Sequence, residues 1–91
     1  MEFMQRNLTL IVDFQSETER LTKRFFSLGQ FEMLFLENLE FARTAIEEKH
    51  EQIAIVLINL DSFPDDAESF YREMKSQERF ENIKIVLAKW D

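Results

Sequence analysis

The run Ile53-Ala54-Ile55-Val56-Leu57-Ile58-Asn59-Leu60 constrains this chain more than any other stretch. It stays apolar without alternation until Asn59, then breaks into the turn-forming residues Asp61-Ser62-Phe63-Pro64-Asp65-Asp66. A β-branched run with no polar face suits a strand buried on both sides, as in the middle of a parallel sheet. In an open α/β sheet, ligands and reactive groups gather at the C-terminal ends of such strands. The side chain waiting at that end is Asn59, a carboxamide.

The rest of the chain supplies partners for that strand. Leu8-Thr9-Leu10-Ile11-Val12, ending in Asp13, reads as a first strand. Ser16-Glu17-Thr18-Glu19 fits a capping box, and Leu21, Phe25 and Leu28 share one helical face, so a first helix is expected over 17–28. Gly29, the only glycine, falls where a helix end calls for positive φ. Phe31–Leu36 reads as a second strand with Phe31, Met33 and Phe35 on one face. Asn38 is the expected cap of a second helix whose apolar stripe is Leu39, Ala42, Ala45 and Ile46. His50, in the polar exit of that helix, is expected to be solvated.

Beyond the central strand, Ser62 is the expected cap of a third helix, with Pro64 in its first turn. Asp65, Asp66 and Glu68 place negative charge at its positive end, and Ala67, Phe70, Tyr71 and Met74 line its inner face. Ile83–Ala88 is the fourth strand. The alternation β-α-β-α-β-α-β predicts a parallel sheet with right-handed crossovers in a single domain over 1–91. Met1-Glu2-Phe3 ahead of Met4 reads as an added leader, and residues 1–6 carry no structural expectation.

Composition narrows function mainly by exclusion. A net charge of −7 argues against nucleic acid or an anionic membrane surface as partner. Without cysteine there is no disulfide framework, thiolate nucleophile or cysteine-based zinc site. No apolar run approaches the ~20 residues that span a bilayer, and no signal-peptide pattern appears, so a cytoplasmic location is expected. Nothing points to a small α/β enzyme: no serine has a convergent His/Asp pair, and there is no glycine-rich phosphate loop.

The segments "LIVDF" at 10–14, "LENLEFARTAIEE" at 36–48 and "IVLINLDSFPDDAESFYREMKSQERFENIKIVLAK" at 55–89 resemble the receiver domain of two-component response regulators. The resemblance spans essentially the whole chain and rests on the order and spacing of elements. It implies a three-layer, flavodoxin-like α/β fold, with four parallel strands in order 2-1-3-4 and three helices. The fifth strand and last helices of a full receiver are missing. In an ungapped alignment Asn59 falls on the phosphoacceptor aspartate, Phe14 on the second residue of the acidic pair begun by Asp13, and Lys89 on the fourth-strand hydroxyl. One register slip puts Ala88 there instead.

Phosphoryl transfer to a carboxylate needs a nucleophilic oxygen and a divalent cation to neutralise the charge that builds up. Asn59 supplies no such oxygen, and Asp13 with an amide would hold Mg²⁺ weakly. The expectation is a phosphorylation-independent pseudo-receiver: an interaction or dimerisation module in signal transduction, without enzymatic activity or cofactor. Asp13, Phe14, Asn59, Asp61 and Lys89 form its degenerate pocket. The alternative is that Asp61 acts as a displaced phosphoacceptor with Mg²⁺, or that Asp13, Asp61, Asp65 and Asp66 hold a metal. Asp61 and its neighbours are also what a turn and a helix N-terminus require. With the fourth strand at the sheet edge, Ile83, Ile85, Leu87 and Trp90 are expected to form an exposed interface. That surface would meet a second copy, another protein, or further domains of a longer parent chain.

Overall fold

The computed structural model describes residues 6–14 and 32–89. In chain order these form β1 (Leu8–Val12), β2 (Glu32–Leu36), α1 (Leu39–Lys49), β3 (Ile53–Asn59), α2 (Ala67–Lys75), a 3₁₀ turn (Glu78–Phe80) and β4 (Lys84–Ala88). The four strands make one parallel sheet in the order β2-β1-β3-β4. The α/β class, the parallel pairing and the strand order therefore agree with expectation. Two α-helices lie among the described residues. The helix expected over 17–28, with Gly29 and Phe31, lies outside them, as does Trp90.

The order explains where the helices go. Both crossovers that the structure describes, β2 to β3 and β3 to β4, step across the sheet in the same direction. Right-handed connections then put α1 and α2 on one face. The register sets which side chains meet them. Leu10 pairs with Leu34 and Val56, and Val56 with Ile85, so these alternate positions share that face. They pack with Ala42, Ala45 and Ile46 of α1, Ala67, Phe70 and Met74 of α2, and Phe80 in one continuous cluster. The opposite face carries Thr9, Met33, Phe35, Ile55, Leu57 and Val86, all half-buried, around Ile11, which is 2% exposed.

Local chemistry sets the helix boundaries. Asn38 is extended, and its Oδ1 accepts from the Phe41 amide at 2.8 Å, satisfying one of the orphan donors of α1. The apolar stripe expected on this helix is the buried one. At α2 the expectation shifts: the helix begins at Ala67 with Asp66 as N-cap, and Ser62 and Pro64 stay in the preceding turn. Ser62 is not a cap because its hydroxyl is spent elsewhere, as described below. His50 also departs from a solvated role. Its ring lies edge-on to Phe80, with centroids 5.5 Å apart, and its carbonyl accepts from the Arg6 guanidinium at 2.8 Å. The same guanidinium reaches the Ile53 carbonyl at 3.1 Å, tying the entry of β1 to the α1–β3 turn.

Two ion pairs join the helical layer. Arg43 of α1 donates from Nε and Nη2 to Glu73 of α2 at 3.0 and 2.8 Å, and Arg79 reaches Glu47. The two-pronged bond to Arg43 holds the Glu73 carboxyl below its ordinary range, and Glu73 in turn raises the Arg43 guanidinium. A depressed folded-state pKa means that the contribution is complete above the ordinary glutamate value and is lost as pH falls through the depressed one. The pair is partly exposed, so solvent screening keeps it small. Glu73→Gln is expected to reduce stability by about 0.5–1 kcal/mol at neutral pH. Urea melts of both proteins at successively lower pH should converge, because the parent loses the same interaction.

The edge at β4 differs from expectation in its side chains. Ile83 precedes the strand and is 1% exposed, and Ile85 is 8% exposed; both lie in the core cluster. Leu87 packs partly against the same cluster. The register that pairs Val56 with Ile85 and Ile58 with Leu87 turns these residues towards the helices. What β4 offers outward is Lys84, Val86 and Ala88, together with a backbone edge that pairs only with β3 among the described residues.

Candidate functional site

In the order β2-β1-β3-β4 the chain leaves β1 towards one edge and β3 towards the other. The crevice between their C-terminal ends is thus the topological switch point, where open α/β sheets hold their ligands. Parallel pairing of Val12 with Ile58 brings the next residues, Asp13 and Asn59, side by side at that point. Both are buried: Asp13 is 8% exposed and Asn59 1%.

Buried polar groups must find partners, and these find each other. Asn59 Nδ2 donates to Asp13 Oδ2 at 3.0 Å, and Asn59 Oδ1 accepts from the Asp61 amide at 2.9 Å. A carboxylate on one side and an N–H on the other fix the orientation of the amide. The second Asp13 oxygen accepts from the Ser62 hydroxyl at 2.5 Å, and the Ser62 amide donates to the Asn59 carbonyl at 3.1 Å. Leu60 N–H donates to the Ala88 carbonyl at 2.8 Å, and Asp13 N–H to the Leu36 carbonyl at 3.0 Å, so all four strand ends are laced together. Among the described residues no buried side-chain nitrogen or oxygen lacks a partner.

The remaining members of the expected pocket stand apart. Phe14 is 56% exposed and meets Phe63 edge-on at 6.3 Å between centroids, turned to the surface instead of filling the crevice. The Asp61 carboxylate lies 3.8 Å from Lys89 Nζ, with both side chains well exposed. The crevice therefore holds Asp13, Asn59 and Ser62, with an outer Asp61–Lys89 pair. Ser62 is the member that sequence reasoning misassigned.

These residues do not fit a magnesium ion. Mg²⁺ requires oxygen ligands in near-octahedral geometry, commonly one or two carboxylates with waters. Among the described residues Asp13 is the one carboxylate in the cluster, and N–H and O–H donors already point their positive ends at its two oxygens. The four-aspartate metal site fares no better. No group of three or more His, Cys, Asp or Glu side chains suited to a metal comes together among the described residues.

Ser62→Ala tests this lacing. It removes the hydroxyl donor of Ser62 from a buried carboxylate, which costs about 1–3 kcal/mol. Thermal melting should show that loss, whereas Ser69→Ala, an exposed site on α2, should stay within about 0.5 kcal/mol of the parent.

No family model, curated protein sequence or solved structure matches this chain. No described helix is long and apolar enough to cross a membrane.

Proposed function

We propose that this chain is a phosphorylation-independent pseudo-receiver, a flavodoxin-like three-layer domain that serves as a protein–protein interaction module in cytoplasmic signal transduction. It works by shape instead of reaction. The parallel order β2-β1-β3-β4 and the site at its switch point support this reading. The observation that carries it is Asn59. At the tip of β3, where a receiver keeps its phosphate-accepting carboxylate, a buried amide is bonded to Asp13 on one side and to the Asp61 backbone on the other. An amide oxygen so engaged is neither charged nor free to attack phosphorus. The partner is a protein or a second copy of the chain, met at the β4 edge, which pairs only with β3 among the described residues and can template strand addition.

One observation favours a second reading. Asp61 is an accessible carboxylate at this end of the sheet, and Lys89 beside it supplies a positive charge for an incoming phosphate. Asp61 would then be a displaced phosphoacceptor working with a divalent cation. Incubation with acetyl phosphate and Mg²⁺, followed by intact-mass measurement, separates the two. Unchanged mass supports the pseudo-receiver. An acid-labile phosphate that disappears in Asp61→Asn overturns it in favour of the second reading.

A further inference from the structure

A groove of about 390 Å³ runs between the N-terminal halves of α1 and α2, and Asp13, Asn59 and Ser62 do not line it. Its apolar base is Leu39, Phe63 and Phe70, and its rim carries the carboxylates of Glu40, Asp66 and Glu73. Arg43 lies across one end, bonded to Glu40 at 2.7 Å and to Glu73 at 2.8 Å. Its guanidinium carbon sits 5.5 Å from the centre of the Phe70 ring. The groove thus already holds one guanidinium, between carboxylates and over an aromatic face, in the manner a cation prefers.

Charge decides what else it takes. Three carboxylates against one guanidinium leave two negative charges on the lining. Two helix N-termini offset about half a charge each, so about one negative charge remains. The net charge of −7 on the chain adds a longer-range pull in the same direction. Both terms disfavour an anion. A volume in the range of small-molecule sites, about 300–1,000 Å³, admits one or two side chains rather than a folded element. Phe63 of the lining meets the exposed Phe14 edge to face, and the two offer an aromatic wall to an apolar neighbour.

We infer that this groove binds a segment of a partner protein in which a basic side chain, arginine above all, adjoins an apolar one. The base enters beside Asp66, the lining carboxylate that Arg43 does not bond, and the apolar residue rests on Phe63 and Phe14. This goes beyond the pseudo-receiver reading and stands without it, since binding here uses neither the switch-point cluster nor the β4 edge.

The test is an NMR titration of the ¹⁵N-labelled full chain at low ionic strength with three peptides: acetyl-Leu-Arg-Leu-Arg-amide, its Glu-for-Arg counterpart and its Gly-for-Leu counterpart. The Leu-Arg peptide should shift the amides of Arg43, Phe63, Ser69 and Glu73 in a saturable way that weakens with salt. The Glu peptide should not bind, and the Gly-Arg peptide should bind more weakly. Asp66→Asn removes a rim charge at an exposed N-cap whose side chain makes no capping hydrogen bond, so folding is undisturbed. It should weaken the Leu-Arg peptide roughly two- to five-fold. Glu81→Gln, an exposed acid outside the groove, should leave affinity unchanged. Equal weakening by Glu81→Gln, shifts scattered over the acidic surface, or binding of the Glu peptide would each overturn the proposal. A negative result here leaves the acetyl phosphate experiment untouched, and a phosphorylated Asp61 leaves this one untouched.

Discussion

Asn59→Asp is expected to destabilise the domain by about 3 kcal/mol or more at neutral pH, a fall in melting temperature of roughly 12–24 °C for a chain of this length. The exchange alters one atom of the side chain and almost none of its volume. It turns the donor that faces Asp13 across 3.0 Å into a second carboxylate, at a position that is 1% exposed. Two carboxylates that close cannot both ionise at ordinary cost, so the folded state raises the pKa of the pair. A raised folded pKa makes the variant most stable below the unfolded carboxylate value of about 4, with stability lost as pH rises through the raised one. The gap to the parent should therefore narrow on acidification. Millimolar Mg²⁺ should narrow it too, by supplying the positive charge the amide hydrogens now provide, while leaving the parent unmoved. Thermal melts in a matrix of pH and Mg²⁺ read all of this. A variant that melts like the parent at pH 7 without Mg²⁺ would show that the Asp13–Asn59 contact carries no weight.

Phe80→Ala should cost about 3–5 kcal/mol, a large share of the roughly 5–14 kcal/mol expected for a domain of this size. Phe80 is fully buried and belongs to a short 3₁₀ turn instead of a regular helix or strand. It plugs the end of the core between α2 and β4, with His50 edge-on at 5.5 Å and the Arg79 guanidinium carbon 4.5 Å from its ring centre. Backbone hydrogen bonds from Phe80 N–H to the Gln77 carbonyl and from Ile83 N–H to the Phe80 carbonyl hold the turn in place, so it closes only partly over the lost ring. Urea unfolding should show the midpoint falling by about a fifth or more. Phe41→Ala, at a 51% exposed position on α1, should stay within about 0.5 kcal/mol of the parent. Equal losses at the two positions would contradict the burial pattern.

Phe80 also marks where the sequence was silent. The strands were legible because their signal is local: a run such as Ile53–Ile58 excludes a solvated face whatever surrounds it. The Asn38 cap was legible for the same reason, since its partner lies three residues away. A lone phenylalanine between Arg79 and Glu81 carries no periodicity, and only the closing of α2 onto β4 makes it core. The Asp13–Asn59 juxtaposition could be expected once the strand order was, because parallel register fixes neighbours. Ser62 could not. Its hydroxyl suits a helix cap and a carboxylate partner equally, and the choice depends on how the turn after Asn59 folds. Ile83 and Ile85 show the converse error. Their alternation was plain, but which face met the helices was set by pairing with Val56, a relation across the sheet.

The placement of β1 between β2 and β3 has a consequence for how the molecule is made. Leu10 pairs with Val56 at a sequence separation of half the chain, and no hairpin brings the two together. On a ribosome the innermost strand emerges early and waits, its apolar edge unmatched, until residues beyond β3 clear the exit tunnel. Long-range parallel closure of this kind is slow, and a nascent chain stalled before Asn59 would display a sticky strand to its neighbours. Synthesis rate across the α1–β3 segment should therefore influence how much of this protein escapes aggregation.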